Sequence, residues 1–360
     1  MNLPTIDKID VKGKRVILRV DFNVLLKNGD IGDIYRIKRT LPTIDWLKNN
    51  GAKTIIISHL SSGKKGSLAL VAEHLNKTLG LNIIFLDSVD FKSVGDRIEK
   101  MAEGEIILLE NVRIHKGEEE NDDNFSKKLS ELGDIYVNDA FGVAHRAHAS
   151  IVGITKYLPS YAGLLFDEEV RSLESVFAPQ HPFLLILGGV KFESKIGVID
   201  RFLNIADKIF IGGALANNFF KARGDNIGES VFDSRISVGK YLDNEKIILP
   251  VDVRKKSDKI FDIGPKTVEN LVELIKKEKF ILWNGPPGNI EEGFGESTKI
   301  VAEAIANSGA KSIVGGGDTV AIINKMGLID KFSFVSTGGG AMLQFLAYGT
   351  LPGIEALKNK

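Results

Sequence analysis

Two lysines four residues apart, Lys191 and Lys195, follow an apolar run in the segment FLLILGGVKFESK. On a helix they share one face. They fall in its first turns, where the macrodipole disfavours cations. Two cations set against the dipole imply an anionic ligand. The plain alternative is a solvated lysine pair, common in a chain with 35 lysines. Three Gly-rich loops follow other apolar runs: GGALANN with Gly212 and Gly213, GGGDTV with Gly316, Gly317, Asp318 and Thr319, and STGGGA with Gly338, Gly339 and Gly340. Glycines let a backbone approach an anion, and a helix N-terminus offers free N–H groups. Asp318 there suits Mg²⁺ carried on nucleotide phosphates. Each loop alone also reads as a tight turn, with Asp318 as an N-cap. Three in one half of the chain point to nucleotide binding. The G-x-x-x-x-G-K-[ST] run of P-loop kinases is missing, as are G-x-G-x-x-G and the catalytic loop of protein kinases.

The other half has a different character. Only 12 of 47 basic residues are arginine, yet strand-end signatures hold Arg113 and Arg146, and Arg36 precedes a helix. Arginine makes bidentate bonds to carboxylate and phosphate that lysine does not match. His59, His145 and His148 lie in the same signatures. Asp21 and Asn23, two apart in extended chain, face one way and suit a substrate hydroxyl. The set reads as a basic pocket for a small, multiply anionic, hydroxylated molecule. A surface salt bridge is the plain alternative for each arginine alone. His145 and His148 lack the acidic partner of a zincin helix. No general base stands out. None is needed if the attacking atom is already an anionic oxygen, as in transfer between phosphates.

These residues need positioning. Nine short apolar runs do it: RVILR, KTIII, EIILL, DIYV, FLLIL, KIFI, KFIL, KSIV and KFSFV. Each ends in a Gly-rich or polar signature, as buried parallel strands do. In open α/β sheets, ligands bind beyond the carboxyl ends of the strands. Between the runs, Ile37 to Asn49 is patterned as a helix that Pro42 bends or starts. Ser67 to Leu79, Asp123 to Leu132, Thr267 to Lys277 and Thr298 to Asn307 are clearer helices. Strand alternating with helix predicts parallel sheets with right-handed crossovers. At 360 residues, two domains are expected. Asp167 to Phe177 reads as a connecting helix, with the boundary at residue 165/166 and a tail over 346–360 that returns to the first domain. Zero net charge argues against a general nucleic-acid or membrane binder. With no cysteine, no signal core and no apolar run long enough to span a bilayer, a soluble cytoplasmic protein is expected.

The signatures RVDFNV, SHL, LLENVR, VNDAFGVAHRAHAS, LPSYAG, LGGVKFESKI, GGALANNF, DIGPKT, WNGPPG, GGGDTVA, STGGGA and LPGIEAL resemble the phosphoglycerate kinase family, in order, over residues 15 to 357. The resemblance implies two Rossmann-like parallel-sheet domains joined by a hinge. It implies reversible phosphoryl transfer between 1,3-bisphosphoglycerate and Mg-ADP, giving 3-phosphoglycerate and ATP, by a monomer that closes and excludes water. By motif position, Asp21 and Asn23 contact the substrate hydroxyl and carboxylate. His59, Arg113 and Arg146 form the patch for its phosphate. Arg36, Lys191 and the amides of Gly317 and Gly339 stabilise the transferring group. Lys195 and the loop Gly316 to Thr319 hold nucleotide phosphates, and Asp318 is the Mg²⁺ ligand. Asn284 lies near the phosphates, Glu291 takes the ribose, and Gly212 and Gly213 line the adenine slot. A silent relative, or a kinase for another small acid, is the competing reading.

Four departures from the family pattern stand out. Ser62 replaces an expected arginine of the substrate patch (SHLSSGKKG for SHLGRPKG), with Lys64 or Lys65 nearby. The loss of one charged hydrogen bond predicts 3-phosphoglycerate binding weaker by about 1–2 kcal/mol. Ser62→Arg is therefore expected to lower the Michaelis constant for that substrate; an unchanged or higher value would refute this. Leu25 stands where proline is usual. WNGPPGNIEEGFGEST is a residue short, which leaves Glu291 and Glu292 as alternatives. Only RKKSDKIF separates LPVDV from DIGPKT, where the family carries a longer insert, so the adenine wall is expected to differ.

Overall fold

The computed structural model describes residues 1–24, 26–27, 30–31, 34–61 and 66–358, with the backbone alone at Leu26, Lys27 and Asp30. Ser62, Lys64, Lys65 and Leu25 lie outside the described residues. The chain divides into two units: Met1–Arg171 with Thr350–Lys360, and Ser172–Gly349.

The first unit holds strands β1 (Arg15–Arg19), a short antiparallel pair β2 (Leu26–Lys27) and β3 (Asp30–Ile31), β4 (Lys53–Ile57), β5 (Ile84–Leu86), β6 (Ile106–Leu109), β7 (Ile135–Asn138) and β8 (Ser160–Ala162). Its six-stranded sheet runs β5-β6-β4-β1-β7-β8, with every pairing parallel. The reason for continuous apolar runs is visible in the two cores. Val16, Leu18, Ile56, Leu108 and Val137 pack on one face of the sheet. Ile17, Ile55, Ile57, Ile107 and Tyr136 pack on the other. Helices cover both faces, so the middle positions of the strands are apolar on either side, and polar residues such as Arg19 and Asn138 come at the strand ends. The final helix, Pro352–Lys358, completes this unit: Gly353 N–H donates to the Ala144 carbonyl at 2.9 Å, and Ile354 and Leu357 are fully buried.

The second unit repeats the plan with β9 (Phe183–Leu187), β10 (Lys208–Ile211), β11 (Ile247–Ile248), β14 (Phe280–Asn284), β15 (Lys311–Gly315) and β16 (Phe334–Val335), in the order β11-β10-β9-β14-β15-β16. An antiparallel hairpin, β12 (Val253–Lys256) and β13 (Lys259–Ile263), stands apart from the sheet. In each all-parallel sheet the chain adds strands first on one side and then on the other, switching between β1 and β7 and between β9 and β14, which are the positions where open α/β sheets bind ligands.

All nine apolar runs are strands, and the fold is the expected pair of parallel α/β sheets. Helices occupy Tyr35–Asn49, Ala69–Leu79, Asp123–Ser130, Pro265–Ile275 and Glu296–Ala306, close to their sequence patterns. Pro42 sits inside the first of them, on its exposed side, while Ile37, Ile44 and Leu47 hold the opposite face in the core. The connecting helix runs Leu164–Glu174, three residues earlier than its pattern suggests, because Asp139 caps it: the Phe166 N–H donates to Asp139 Oδ1 at 3.0 Å. Among the described residues, no helix is long and apolar enough to cross a membrane.

Candidate active site

In the first unit, the carboxyl ends of β1, β4, β6 and β7 bring together Asp21, His59, Arg113 and the segment that holds Arg146 and Ser150. The chain leaves β1 through Val20 to Asp21, 5 % exposed, which meets the first turn of helix Tyr35–Asn49: Arg36 Nη1 lies 3.1 Å from Asp21 Oδ2 and donates to the Asn23 carbonyl at 3.1 Å. Asn23 Oδ1 accepts from the Ser61 N–H at 2.8 Å, which ties the two loops together. Arg113 sits beyond β6, with its Nε 3.3 Å from Glu119. Arg146 Nε lies 3.4 Å from His145 Nε2.

Arginine outweighs carboxylate here, and the histidines register it. Burial, with Arg19, Arg113, Arg146 and Arg36 around the ring, drives the His59 pKa far below its ordinary value. Burial with Arg113 and Arg146 takes His148 down to about 4. Even Arg113 is pushed below its ordinary value, by burial first and Arg146 second. Like charges held this close in a buried setting are costly unless an anion joins them. Sequence reasoning missed Arg19. It is 1 % exposed at the end of β1, donating through Nε to Ser150 Oγ at 2.9 Å and lying 3.2 Å from His59 Nδ1. A charged residue closing an otherwise apolar buried run was the available signal. Glu118, fully buried within an acidic run, was missed too.

In the second unit, the loops after β9, β10, β14 and β15 pack backbone to backbone. The Gly189 N–H donates to the Pro286 carbonyl at 2.9 Å and the Gly213 N–H to the Pro287 carbonyl at 3.1 Å. A methyl on Gly188 would fall 2.2 Å from the Pro286 oxygen; one on Gly213, at φ +59, would fall 2.3 Å from the Gly189 nitrogen. Only glycine fits either position. These loops border a cavity of about 200 Å³ whose lining includes Gly213, Phe220, Phe261, Pro287, Glu291 and Asp318. Glu292 does not line it, which separates the two candidate acids.

Lys195, on helix Phe192–Phe202, is 3 % exposed. Burial and the neighbouring Lys191 draw its pKa down to about 8, with Asp318 acting the other way. Lys191 itself is exposed at the start of that helix. Gly316, at φ +100, enters helix Gly317–Lys325, and Gly339, at φ +47, enters helix Gly340–Tyr348. Around Gly317, Gly339 and Gly340 an added methyl would meet nothing within 4 Å, so these helix starts are open. Gly212 packs against Pro287. Asn284 lies beneath the loops, 2 % exposed, its Nδ2 3.5 Å from Met342 Sδ. The Thr319 side chain is fully buried, so the backbone is what it presents to the loop.

A family model described as "Phosphoglycerate kinase" matches residues 6–348. The chain belongs to the phosphoglycerate kinase family. This is a family of phosphotransferases with a carboxyl group as acceptor. The chain is 46 % identical to the phosphoglycerate kinase of Thermosipho africanus, covering 99 % of this chain and 98 % of that one. It is 44 % identical to that of Dictyoglomus turgidum, at 98 % and 97 % coverage. Among solved structures it matches phosphoglycerate kinase from Pyrococcus horikoshii OT3, with a TM-score of 0.90 at 32 % identity and 99 % and 98 % coverage. It also matches the Coxiella burnetii phosphoglycerate kinase, at 0.82 and 37 %, with 99 % of both chains covered.

The Thermosipho alignment extends over 393 positions, more than this chain's 360 residues, so that phosphoglycerate kinase carries segments missing here. Between LPVDV and DIGPKT the chain forms β12 and β13, joined across Ser257 and Asp258, with Ser257 at φ +55. Val253, Lys259, Ile260, Phe261 and Asp262 of this hairpin line the cavity. The hairpin is tight and is braced where Phe261 stacks on Phe294 at 4.9 Å.

Proposed function

We propose that this chain transfers a phosphoryl group between ATP and the carboxylate of 3-phosphoglycerate, forming ADP and 1,3-bisphosphoglycerate and running equally in reverse, as a step of glycolysis. One observation carries the reading. Gly213, Glu291 and Asp318 line a single cavity, and beside it Lys195 is buried with no carboxylate in ion-pair range among the described residues. A buried ammonium in that position calls for an anionic partner, and nucleotide phosphates provide it.

The first unit binds 3-phosphoglycerate in this reading. Asp21 and Asn23 take its hydroxyl and carboxyl end; His59, Arg113 and Arg146 take its phosphate, with Ser62 in the expected arginine's place. In the second unit, Gly212 and Gly213 border the adenine, Glu291 the ribose, and Lys195 with the loop Gly316 to Thr319 the phosphates. Asn284 supports that loop from below. The carboxylate oxygen attacks the terminal phosphorus while the bond to the ADP oxygen breaks. No proton moves, which agrees with the lack of a general base. Arg36, Lys191 and the amides of Gly317 and Gly339 offset the charge that spreads over the transferring oxygens.

Mg²⁺ fits this site as part of the nucleotide substrate. No group of three or more His, Cys, Asp or Glu that could hold a metal occurs among the described residues. Asp318, which shares the cavity wall with Glu291 and Asp262, suits an ion whose other ligands are phosphate oxygens and water; when bound, the ion would neutralise phosphate charge. Because acceptor and donor residues lie in different units, transfer requires hinge closure, which also excludes water from the acyl phosphate. A cytoplasmic monomer without nucleic-acid or membrane partners completes the reading.

A coupled assay tests it. Protein, 3-phosphoglycerate and Mg-ATP are supplied, and 1,3-bisphosphoglycerate is followed by dehydrogenase-linked NADH oxidation. Turnover of about 1–10³ s⁻¹ is expected, falling at least about 100-fold in Asp318→Ala. No turnover, with ADP still bound by calorimetry, would overturn the substrate assignment and favour a different acid or a silent relative.

A further inference from the structure

His59 follows β4 and is 1 % exposed. Its Nδ1 lies 3.2 Å from Arg19 Nη2 and 3.9 Å from Asp21 Oδ1. Its Nε2 is buried and has no hydrogen-bond partner among the described residues. A guanidinium has donors only. At 3.2 Å, therefore, Nδ1 must accept, and an accepting ring nitrogen carries no proton. The proton of a neutral imidazole then sits on Nε2.

Asp21 would favour the opposite tautomer, but 3.9 Å is beyond hydrogen-bond range. Its other oxygen is engaged by Arg36 at 3.1 Å. Protonation of both ring nitrogens is opposed by burial and by the four guanidiniums facing the ring: Arg19 from β1, Arg36 from helix Tyr35–Asn49, Arg113 from beyond β6 and Arg146 from beyond β7.

Arg19 is itself held on three sides. Its Nε donates to Ser150 Oγ at 2.9 Å and its Nη1 to the Val20 carbonyl. Ser150 Oγ donates to Glu118 Oε1 at 2.6 Å, and the Ser150 N–H to Glu118 Oε2 at 2.9 Å. Glu118 is completely buried. A carboxylate three contacts behind the ring thus fixes the guanidinium that meets it.

We propose that Arg19 is a positioning residue that locks His59 in its Nε2–H tautomer, so that the ring offers an anionic substrate a donor rather than a lone pair, with Glu118 and Ser150 setting Arg19. A bare Nε2 lone pair would repel a carboxylate or phosphate, and an imidazolium would add a fifth positive charge to a crowded pocket. The consequence for substrate rests on the proposed function; the tautomer does not.

The test is a long-range ¹H–¹⁵N correlation spectrum of ligand-free, ¹⁵N-histidine-labelled protein at pH 7, with His59 assigned by its disappearance in His59→Gln. An unprotonated Nδ1 and a protonated Nε2 are expected. In Arg19→Met the ring should become a tautomer mixture, its pKa rising yet staying below the ordinary histidine value, because burial and the guanidiniums of Arg113, Arg146 and Arg36 remain. The Michaelis constant for 3-phosphoglycerate should rise at least about tenfold, while that for ATP stays within twofold. Ser150→Ala keeps the guanidinium and releases its anchor, so it should show the same drift to a smaller extent even if Arg19→Met does not fold. A protonated Nδ1 in the unaltered protein would overturn the proposal, as would a His59 spectrum unmoved in both variants. The expected tautomer without turnover of 3-phosphoglycerate would support the lock and overturn only the substrate assignment.

Discussion

Lys195→Met should make the ligand-free protein more stable at pH 7 while abolishing tight nucleotide binding. The Lys195 ammonium is buried, and its pKa is drawn from 10.5 to about 8. Below pH 8 the group is charged in both the folded and the unfolded chain, and the folded state bears the full cost of keeping it from water. Between pH 8 and 10.5 the unfolded chain holds more protons, so stability rises with pH across that window. At 1.36 kcal/mol per pKa unit the cost at neutral pH is roughly 3 kcal/mol. Methionine fills similar space without charge. Urea unfolding at pH 7 should therefore show a gain of up to about 2–3 kcal/mol, and the rise between pH 8 and 10 should disappear. ADP affinity should fall about 10- to 100-fold, the worth of a charged hydrogen bond. A variant no more stable than the parent, with ADP affinity intact, would mean that Lys195 is an ordinary buried lysine without a phosphate partner. The trade is the familiar one in which a binding site is held in a less stable state than its fold could reach.

Lys191→Ala is the complementary case. Four residues away on the same segment, Lys191 is exposed, and among the described residues neither burial nor an ion pair with a carboxylate ties it to the folded chain. Its loss should leave stability nearly unchanged. If its ammonium meets the transferring phosphoryl group only when charge develops there, kcat should fall by about 10²–10³, the range for removing one preorganised donor. The dissociation constant for ADP should change less than threefold. Equal losses in kcat and in nucleotide affinity would reduce Lys191 to a binding residue. The two lysines, alike in sequence, are thus expected to separate into one that binds and one that acts.

Much of this was legible in the chain because its strands are buried on both faces. A run such as Val16-Ile17-Leu18 must be apolar at every position, since alternate residues enter different cores. The short members of the sheets gave no comparable signal: β5 has three half-buried residues and β11 has two. The hairpin β12–β13 mixes exposed lysines with half-buried and buried residues in no alternating order, so its role as a cavity wall follows from tertiary packing and leaves no periodic trace. Glycines at the loops were readable because a side chain at Gly188 or Gly213 would come within 2.2 or 2.3 Å of neighbouring backbone, which excludes any other residue. Arg19 and Glu118 were passed over for different reasons. One closes an apolar run, where its charge was the signal left unread, and the other is masked inside an acidic run; the fold shows that both are buried and joined through Ser150. Asn284 and Thr319 belong to recognisable motifs, yet their side chains point into the interior, where they shape the loops they accompany.

The return of the last helix to the first unit has a bearing on how the protein is made. Thr350 to Lys358 emerge from the ribosome after the whole of the second unit. Until then the first unit lacks Ile354 and Leu357, and the Ala144 carbonyl lacks its Gly353 donor. Chains usually fold unit by unit from the N-terminus as they are synthesised. Here the second unit, uninterrupted in sequence, is the first that can be finished, and the earlier half waits, with an apolar patch uncovered, for the closing residues to arrive.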